Sequence, residues 1–251
     1  MMIKIILVGC NGKMGSAITA HVNRCEDIEI SAGVDKFHGV ARDYPVYDSI
    51  AEVEGKHDVI IDFSNPDANE SIVKYAVETG TPVVICTTGL SDAQTDNIKS
   101  ASKKVGVFFS FNMSLGVNLI VELSKKAAAV LGDDFDIEII EQHHNQKIDA
   151  PSGTAYMLAN AINETLDNKM QYNYDRHSVR RKRDSREIGI HSVRGGNIVG
   201  EHEVIFAGTD EVVTISHSAR SKEVFATGAV NAARFLSGLG AGLYSMKDII
   251  D

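Results

Sequence analysis

Several things are missing from this sequence, and each absence removes a class of function. No stretch reaches about eighteen apolar residues free of charge, so no membrane span is expected. Cysteine is scarce: Cys10, Cys25 and Cys86 are the only three. An odd number without metal-ligand spacing argues against a disulfide framework, and inert, reduced thiols fit a cytoplasmic setting. The opening residues carry neither the basic region nor the small-residue cleavage site of a secretory leader, and they run straight into a strand-like segment. Positive charge is in deficit, with 25 basic against 34 acidic residues and a net charge of −9, which disfavours nucleic acid as the partner.

Familiar catalytic signatures are missing as well. His143, His144 and Asp149 do not form an H-E-x-x-H pair, so no metal is expected. Ser152 lacks the G-x-S-x-G elbow of a serine hydrolase. One basic cluster stands out against the acidic background: Arg176, Arg180, Arg181, Lys182, Arg183 and Arg186. It reads as a solvated loop or, more sharply, as an electropositive rim for an anionic ligand.

What is present is an ordinary hydrophobic fraction, 43% of 251 residues, enough for two modest domains or one large one. Residues 3–8 form a short apolar run ended by glycine, as in a buried parallel strand. Helical and strand-like patterns then alternate: a helix over 14–22, strands over 28–34 and 59–61, and a helix over 68–78. A strand over 82–86, a helix over 92–102 with Ser91 as its N-cap, and a strand over 107–109 follow. This alternation predicts a Rossmann-type α/β domain with a mainly parallel sheet.

The rhythm changes after residue 112. Helices are expected over 115–131 and 153–166, and strands over 135–141, 188–193, 199–207 and 211–217. Gly195–Gly196 and Gly208–Thr209 separate the last three strands and favour antiparallel pairing between them. A final helix over 222–236 has a pattern compatible with packing back on the first domain. The expected division is a dinucleotide-binding domain over 1–112 plus 221–251, and a second α+β domain over 113–220 built on a mixed or antiparallel sheet. The second domain is expected to carry substrate binding and oligomerisation.

Two clusters carry chemistry. The first is Gly9-Cys10-Asn11-Gly12-Lys13-Met14-Gly15, which joins the first strand to the first helix. A glycine-rich turn brings backbone amides close to a pyrophosphate, and the helix start adds partial positive charge. Asp35 closes the second strand, where a carboxylate accepts from an adenine-ribose diol. Asp35 repels a 2′-phosphate while Lys36 and Lys13 attract one, so the expectation is NADH and/or NADPH, with NADH at least tolerated. Two further strand-end loops, Cys86-Thr87-Thr88-Gly89 and Ser110-Phe111-Asn112-Met113, face the ligand crevice expected of an open parallel sheet.

The second cluster runs from Glu141 through His143, His144, Lys147, Asp149, Pro151, Ser152, Gly153 and Thr154 to Ala155. Ser152 is a plausible N-cap, which leaves the Gly153 and Thr154 amides to form an anion site. Lys147 adds a mobile cation, so a dianionic substrate is clamped between it and the helix start. A histidine titrates near neutrality, so His143 is a residue type suited to supply a proton.

On these residues the sequence resembles the 4-hydroxy-tetrahydrodipicolinate reductase family, formerly dihydrodipicolinate reductase, of bacterial lysine and diaminopimelate synthesis. The likeness covers nearly the whole chain. It is most specific in H-H-x-x-K-x-D-A-P-S-G-T-A from His143 to Ala155, in the first glycine loop, and in the stretch from Ser192 to His202. The resemblance implies that Gly9, Cys10, Asn11, Gly12, Lys13 and Met14 bind the pyrophosphate and Asp35 the ribose. It further implies that Cys86, Thr87 and Thr88, with Ser110, Phe111, Asn112 and Met113, contact the nicotinamide half. His143 becomes the proton donor, with Lys147 assisting, and His144, Lys147, Gly153 and Thr154 bind a small dicarboxylate substrate. A homotetramer formed through sheets of the second domain is implied too. Cys86, Ser110, Phe111 and Lys222 depart from residues common in the family, and none removes a proposed catalytic group. The competing expectations are another oxidoreductase of similar architecture and a non-enzymatic nucleotide sensor.

Overall fold

The structure, a computed structural model, describes residues 2–250. They fall into two compact units: residues 2–115 with 223–250, and Gly116–Lys222. The sequence pattern turns over at 112/113 and 220/221, while the contacts divide at 115/116 and 222/223.

The first unit holds β1 (Ile3–Val8), α1 (Lys13–Val22), β2 (Ile28–Val34), β3 (Val46–Tyr47), β4 (Val59–Asp62) and α2 (Asn69–Thr79). It continues with β5 (Val83–Ile85), α3 (Asp92–Ala101) and β6 (Gly106–Phe109). Its seven strands lie in the order β12-β6-β5-β4-β1-β2-β3, where β12 is the late strand Gly242–Tyr244. Every pairing in this sheet is parallel. Both faces are covered, so β1 is apolar on both sides rather than alternating. Ile5 and Leu7 pack in one core cluster with Ile18 and Val22 of α1, while Ile6 and Val8 pack in another with Ile72 and Ile98. α3 starts in a reciprocal capping box between Ser91 and Gln94, as the S-x-x-Q spacing allows.

The second unit contains α4 (Leu115–Leu131, whose first residue belongs to the first unit), β7 (Asp136–His143), α5 (Gly153–Thr165) and β8 (Gln171–Asn173). β9 (Glu187–Arg194), β10 (Gly200–Ala207) and β11 (Val212–Ala219) complete its mixed sheet, in the order β11-β10-β7-β9-β8. α4 and α5 share one core with this sheet, built from Ile120, Val121, Leu158, Ile162, Ile139, Ile190 and Phe206 among others. β10 and β11 pair antiparallel, in keeping with the Gly208–Thr209 turn.

The antiparallel pair expected between β9 and β10 does not form. β7 lies between them, parallel to β9 and antiparallel to β10. The Gly195–Gly196 segment therefore bridges two strand spacings, about 10 Å, which a short extended loop covers without a tight hairpin.

The chain closes with α6 (Glu223–Leu236), β12 and α7 (Lys247–Ile250). α6 packs against α1 and beneath β4, β5 and β6, and β12 extends the first sheet beside β6.

Candidate active site

Each unit carries one cluster. In the first, β1 ends at the point where strand order reverses, with β2 on one side and β4 on the other. Ligands of open α/β sheets bind beyond the strand ends at such a point. Gly9 adopts φ +78°, and a Cβ there would lie 2.4 Å from the Phe63 carbonyl oxygen. A Cβ on Gly15 would fall 2.3 Å from the Gly9 carbonyl oxygen. The turn is thus packed on bare backbone: side chains at these two positions would collide with it and force it apart. Gly12 is the N-cap of α1 and leaves the helix start without a side-chain cap.

Asp35 faces this turn. Its Oδ2 accepts from the Asn11 amide at 2.9 Å and its Oδ1 from the Phe37 amide at 3.0 Å. Arg42, which the sequence pattern did not single out, lies along the same loop. Its guanidinium donates to Asn11 Oδ1 at 3.0 Å, to Ser16 Oγ at 2.9 Å and to the Cys10 carbonyl. Lys13 and Lys36 are exposed, and Met14 is half-buried against the core.

The neighbouring strand ends separate into lining and support. Asp62 is fully buried at the end of β4. It accepts from the Ser64 amide at 3.0 Å, from the Ser64 hydroxyl, and from Thr87 Oγ1 at 2.9 Å. Burial pushes its carboxyl above the ordinary range against the pull of these bonds. Cys10 and Cys86 are buried in the core, and burial raises both thiols, Cys10 to about 11. Their side chains are inert packing, which leaves only their backbone to meet a ligand. Met113 likewise points into the core. Thr88 is exposed, Ser110 donates to the Asn112 carbonyl at 3.1 Å, and Phe111 is 87% exposed beside Phe109.

In the second unit, β7 delivers His143 and the loop after it delivers His144 and Lys147. His143 is largely enclosed: its Nδ1 lies 2.6 Å from Glu141 Oε2, and its ring meets the His202 ring edge-on at 5.2 Å. Burial lowers the His143 pKa, and Lys147 and Arg194 add to that, while the Glu141 hydrogen bond and charge oppose them. Lys147 Nζ lies 2.8 Å from Asp149 Oδ1, and that pairing lowers the Asp149 carboxyl. His144 is half-buried.

Ser152 caps α5: its Oγ accepts from the Ala155 amide at 3.1 Å and lies 3.0 Å from His202 Nε2. The cap is therefore spent on Ala155, not on Gly153 or Thr154, the first two residues of the helix. Gly153 is exposed and nothing stands within 4 Å of a Cβ built on it, so the helix start is open to a ligand.

Three of the six side chains in the basic cluster are spent on ion pairs, while Arg180, Lys182 and Arg186 are exposed. Arg176 pairs with Glu138 and Glu187, Arg181 with Glu187, and Arg183 with Asp136 and Glu138. These guanidinium groups tie the loop before β9 to β7 and β9, and their charge is neutralised there. Among the described residues, no group of three or more histidine, cysteine or acidic side chains is arranged to hold a metal ion, and no helix is long and apolar enough to cross a membrane.

Comparison with known proteins agrees with both halves. Residues 3–113 match the family description "Dihydrodipicolinate reductase, N-terminus", and residues 116–250 match "Dihydrodipicolinate reductase, C-terminus". The chain is 52% identical over 250 residues to a 4-hydroxy-tetrahydrodipicolinate reductase from Caldanaerobacter subterraneus subsp. tengcongensis, covering 100% of this chain and 99% of that one. It is 49% identical over 249 residues to the enzyme of the same name from Clostridium novyi, covering 99% and 98%. A solved structure titled "Dipicolinate bound Dihydrodipicolinate reductase", from Paenisporosarcina sp. TG-14, superposes with a TM-score of 0.84 at 27% identity over 99% of this chain and 100% of that one.

Proposed function

The chain belongs to the dihydrodipicolinate reductase family, an oxidoreductase of lysine and diaminopimelate biosynthesis, and from that membership we propose how its residues divide the work. The reaction reduces 4-hydroxy-tetrahydrodipicolinate, with loss of water, to tetrahydrodipicolinate. When bound, the reduced nicotinamide dinucleotide supplies the hydride, which goes to C4 of the substrate ring.

The bare backbone turn around Gly9 and Gly15 fits that cofactor, because a pyrophosphate needs close backbone approach and an uncapped helix start. Gly9 to Met14 hold the pyrophosphate and Asp35 the adenine ribose. The strand-end loops at Cys86, Thr87 and Thr88 and at Ser110 to Met113 hold the nicotinamide half through backbone and hydroxyl groups.

The protein's own contribution is charge and position. Lys147 and the first amides of α5, at Gly153 and Thr154, hold the two carboxylates, with His144 beside them. Lys147 gives up Asp149 for a substrate carboxylate. The ring nitrogen of the conjugated imine takes up the electron pair displaced as C4 is reduced. His143 donates the proton that balances it. One observation carries this reading: an enclosed imidazole and a lysine ammonium stand next to a helix start whose first residue, Gly153, is open and whose cap is spent on Ala155.

The test is kinetic. His143→Gln and Lys147→Ala each lower kcat more than about tenfold, while NADH titration of the two variants stays close to wild type. Wild-type turnover in both variants would defeat the assignment.

The same reading includes use of both nicotinamide forms. Asp35 favours a free ribose diol, while exposed Lys36 and the nearby Arg42 favour a 2′-phosphate. The ratio of kcat/KM for the two cofactors decides it, and an NADPH preference above about a thousandfold contradicts the NADH part. A cytoplasmic setting accompanies it, since reduced thiols and a reduced dinucleotide share that compartment.

Homotetramer formation through the second unit's sheet belongs to the proposal too. Val212, Thr214, Ser216 and Ser218 of β11 are exposed in alternation, and Val193 of β9 is 44% exposed. Sedimentation equilibrium measures the assembly, and a monomer at micromolar concentration contradicts it.

A further inference from the structure

Glu141 is fully buried, yet its carboxylate is surrounded by donors. Oε2 accepts from Arg194 Nη1 at 2.8 Å and faces His143 Nδ1 at 2.6 Å. Oε1 accepts from Arg194 Nη2 at 2.6 Å and from the Ser152 amide at 3.2 Å. Arg194 sits opposite His143 in the parallel β7–β9 register, and its Nη2 also donates to the Asp149 carbonyl at 2.7 Å. Neither Glu141 nor Arg194 has a part in the chemistry described so far.

Burial alone raises the Glu141 carboxyl, but hydrogen bonds from Arg194, His143 and Ser192 override it and hold the group at about 2. An ionised carboxylate accepts and never donates. His143 must therefore carry a hydrogen on Nδ1 whether the ring is charged or neutral. Nε2 is left as the atom where a proton arrives and departs. That nitrogen lies over Gly200, where a Cβ would approach to 3.1 Å, so the absence of a side chain keeps it clear.

We propose that Glu141, clamped by Arg194, is the positioning residue for proton transfer: it fixes the His143 ring with Nδ1–H inward, makes Nε2 the single proton-transfer atom, and through the Ser152 amide ties that ring to the start of α5. The proposal rests on His143 being the proton donor. In each turnover the N–H bond at Nε2 breaks, its proton goes to the reduced substrate, and a proton from water restores it. Glu141 stays ionised and takes up no proton, as for the carboxylate of a hydrolytic triad. The groups facing His143 act in opposite directions. Glu141 from β7 favours the charged ring. Arg194 from β9, Lys147 from the loop after β7 and burial disfavour it, with neutral His202 from β10 packed against the edge. Asp149 tempers Lys147 by pairing with it.

Two readouts on the full-length protein test this. In ¹⁵N-histidine NMR, the His143 signal is identified by its loss in His143→Gln. The neutral wild-type ring is expected as the Nδ1–H tautomer, and Glu141→Gln is expected to admit the Nε2–H tautomer. In the kcat pH profile, the alkaline limb set by the donor moves to lower pH by about one unit or more in Glu141→Gln, and to higher pH in Arg194→Met. A merely structural role lowers kcat at every pH without moving the limb in opposite directions, and that outcome overturns the proposal. So does a wild-type Nε2–H tautomer. If Glu141→Gln does not fold, Glu141→Asp replaces it: the shorter side chain no longer reaches Nδ1 and a tautomer mixture is expected, while an unmixed Nδ1–H state overturns the proposal. The tautomer does not depend on catalysis, so full turnover in His143→Gln would sink the proton-donor reading while the NMR result judged the positioning on its own.

Discussion

His202 shows how much one buried side chain contributes at this site. Burial lowers its pKa from 6.5 to about 4, with the neighbouring His143 adding to the effect. Its Nε2 faces the Ser152 hydroxyl, and its Nδ1 has no partner among the described residues. A folded-state pKa below the unfolded value means the unfolded chain binds the proton more readily. The stability of the neutral ring is whole above about pH 6.5 and is lost as pH falls toward 4, a change on the order of 3 kcal/mol. Thermal unfolding across that window is expected to fall more steeply for wild type than for His202→Gln, and parallel slopes would contradict the account. Asp35 makes a second residue-scale prediction. Asp35→Ala weakens both cofactors because the carboxylate also holds the Asn11 amide, and it weakens NADH more than NADPH. Fluorescence titration measures both, and equal losses would refute the ribose role. Residue types and spacing made His143, Lys147, the glycine loop and Asp35 legible in the sequence. Arg194 and Arg42 were not, because each acts through partners far away in the chain. Glu141 was half legible: it lies two residues before His143 on a strand, hence on the same face, but its burial and its pairing with Arg194 required the β7–β9 register.

Elements were readable where their periodicity was long. β1, β2 and α4 have the bounds that pattern alone suggests, because buried parallel strands and long amphipathic helices leave dense signals. β3, β8 and β12 span two or three residues each and escape any window, being defined by the neighbour they pair with. The β9–β10 pairing was misjudged for a related reason: a glycine turn fixes a reversal of direction and not the identity of the adjacent strand. α6 offers an element-scale test. A Cβ on Gly228 would lie 1.6 Å from the Met113 carbonyl oxygen, so this helix docks on bare backbone. Gly228→Ala is expected to cost about 1–3 kcal/mol in urea unfolding by forcing that contact apart. An unchanged midpoint would show the docking to be loose.

At the scale of the whole molecule, the two units carry different kinds of groups. One offers a bare backbone turn at the reversal point of a parallel sheet; the other offers charge, with Lys147, His143 and the start of α5 grouped at one end of a mixed sheet. Family membership follows from matches spanning both units. The physical claim beneath the functional account is that the segment from His143 to Thr154 is a receptor for two carboxylates. Calorimetric titration of the NADH-saturated protein with pyridine-2,6-dicarboxylate addresses it without turnover. The expected result is binding by wild type and a loss of more than about tenfold in Lys147→Ala. Equal affinity in wild type and Lys147→Ala would contradict the account.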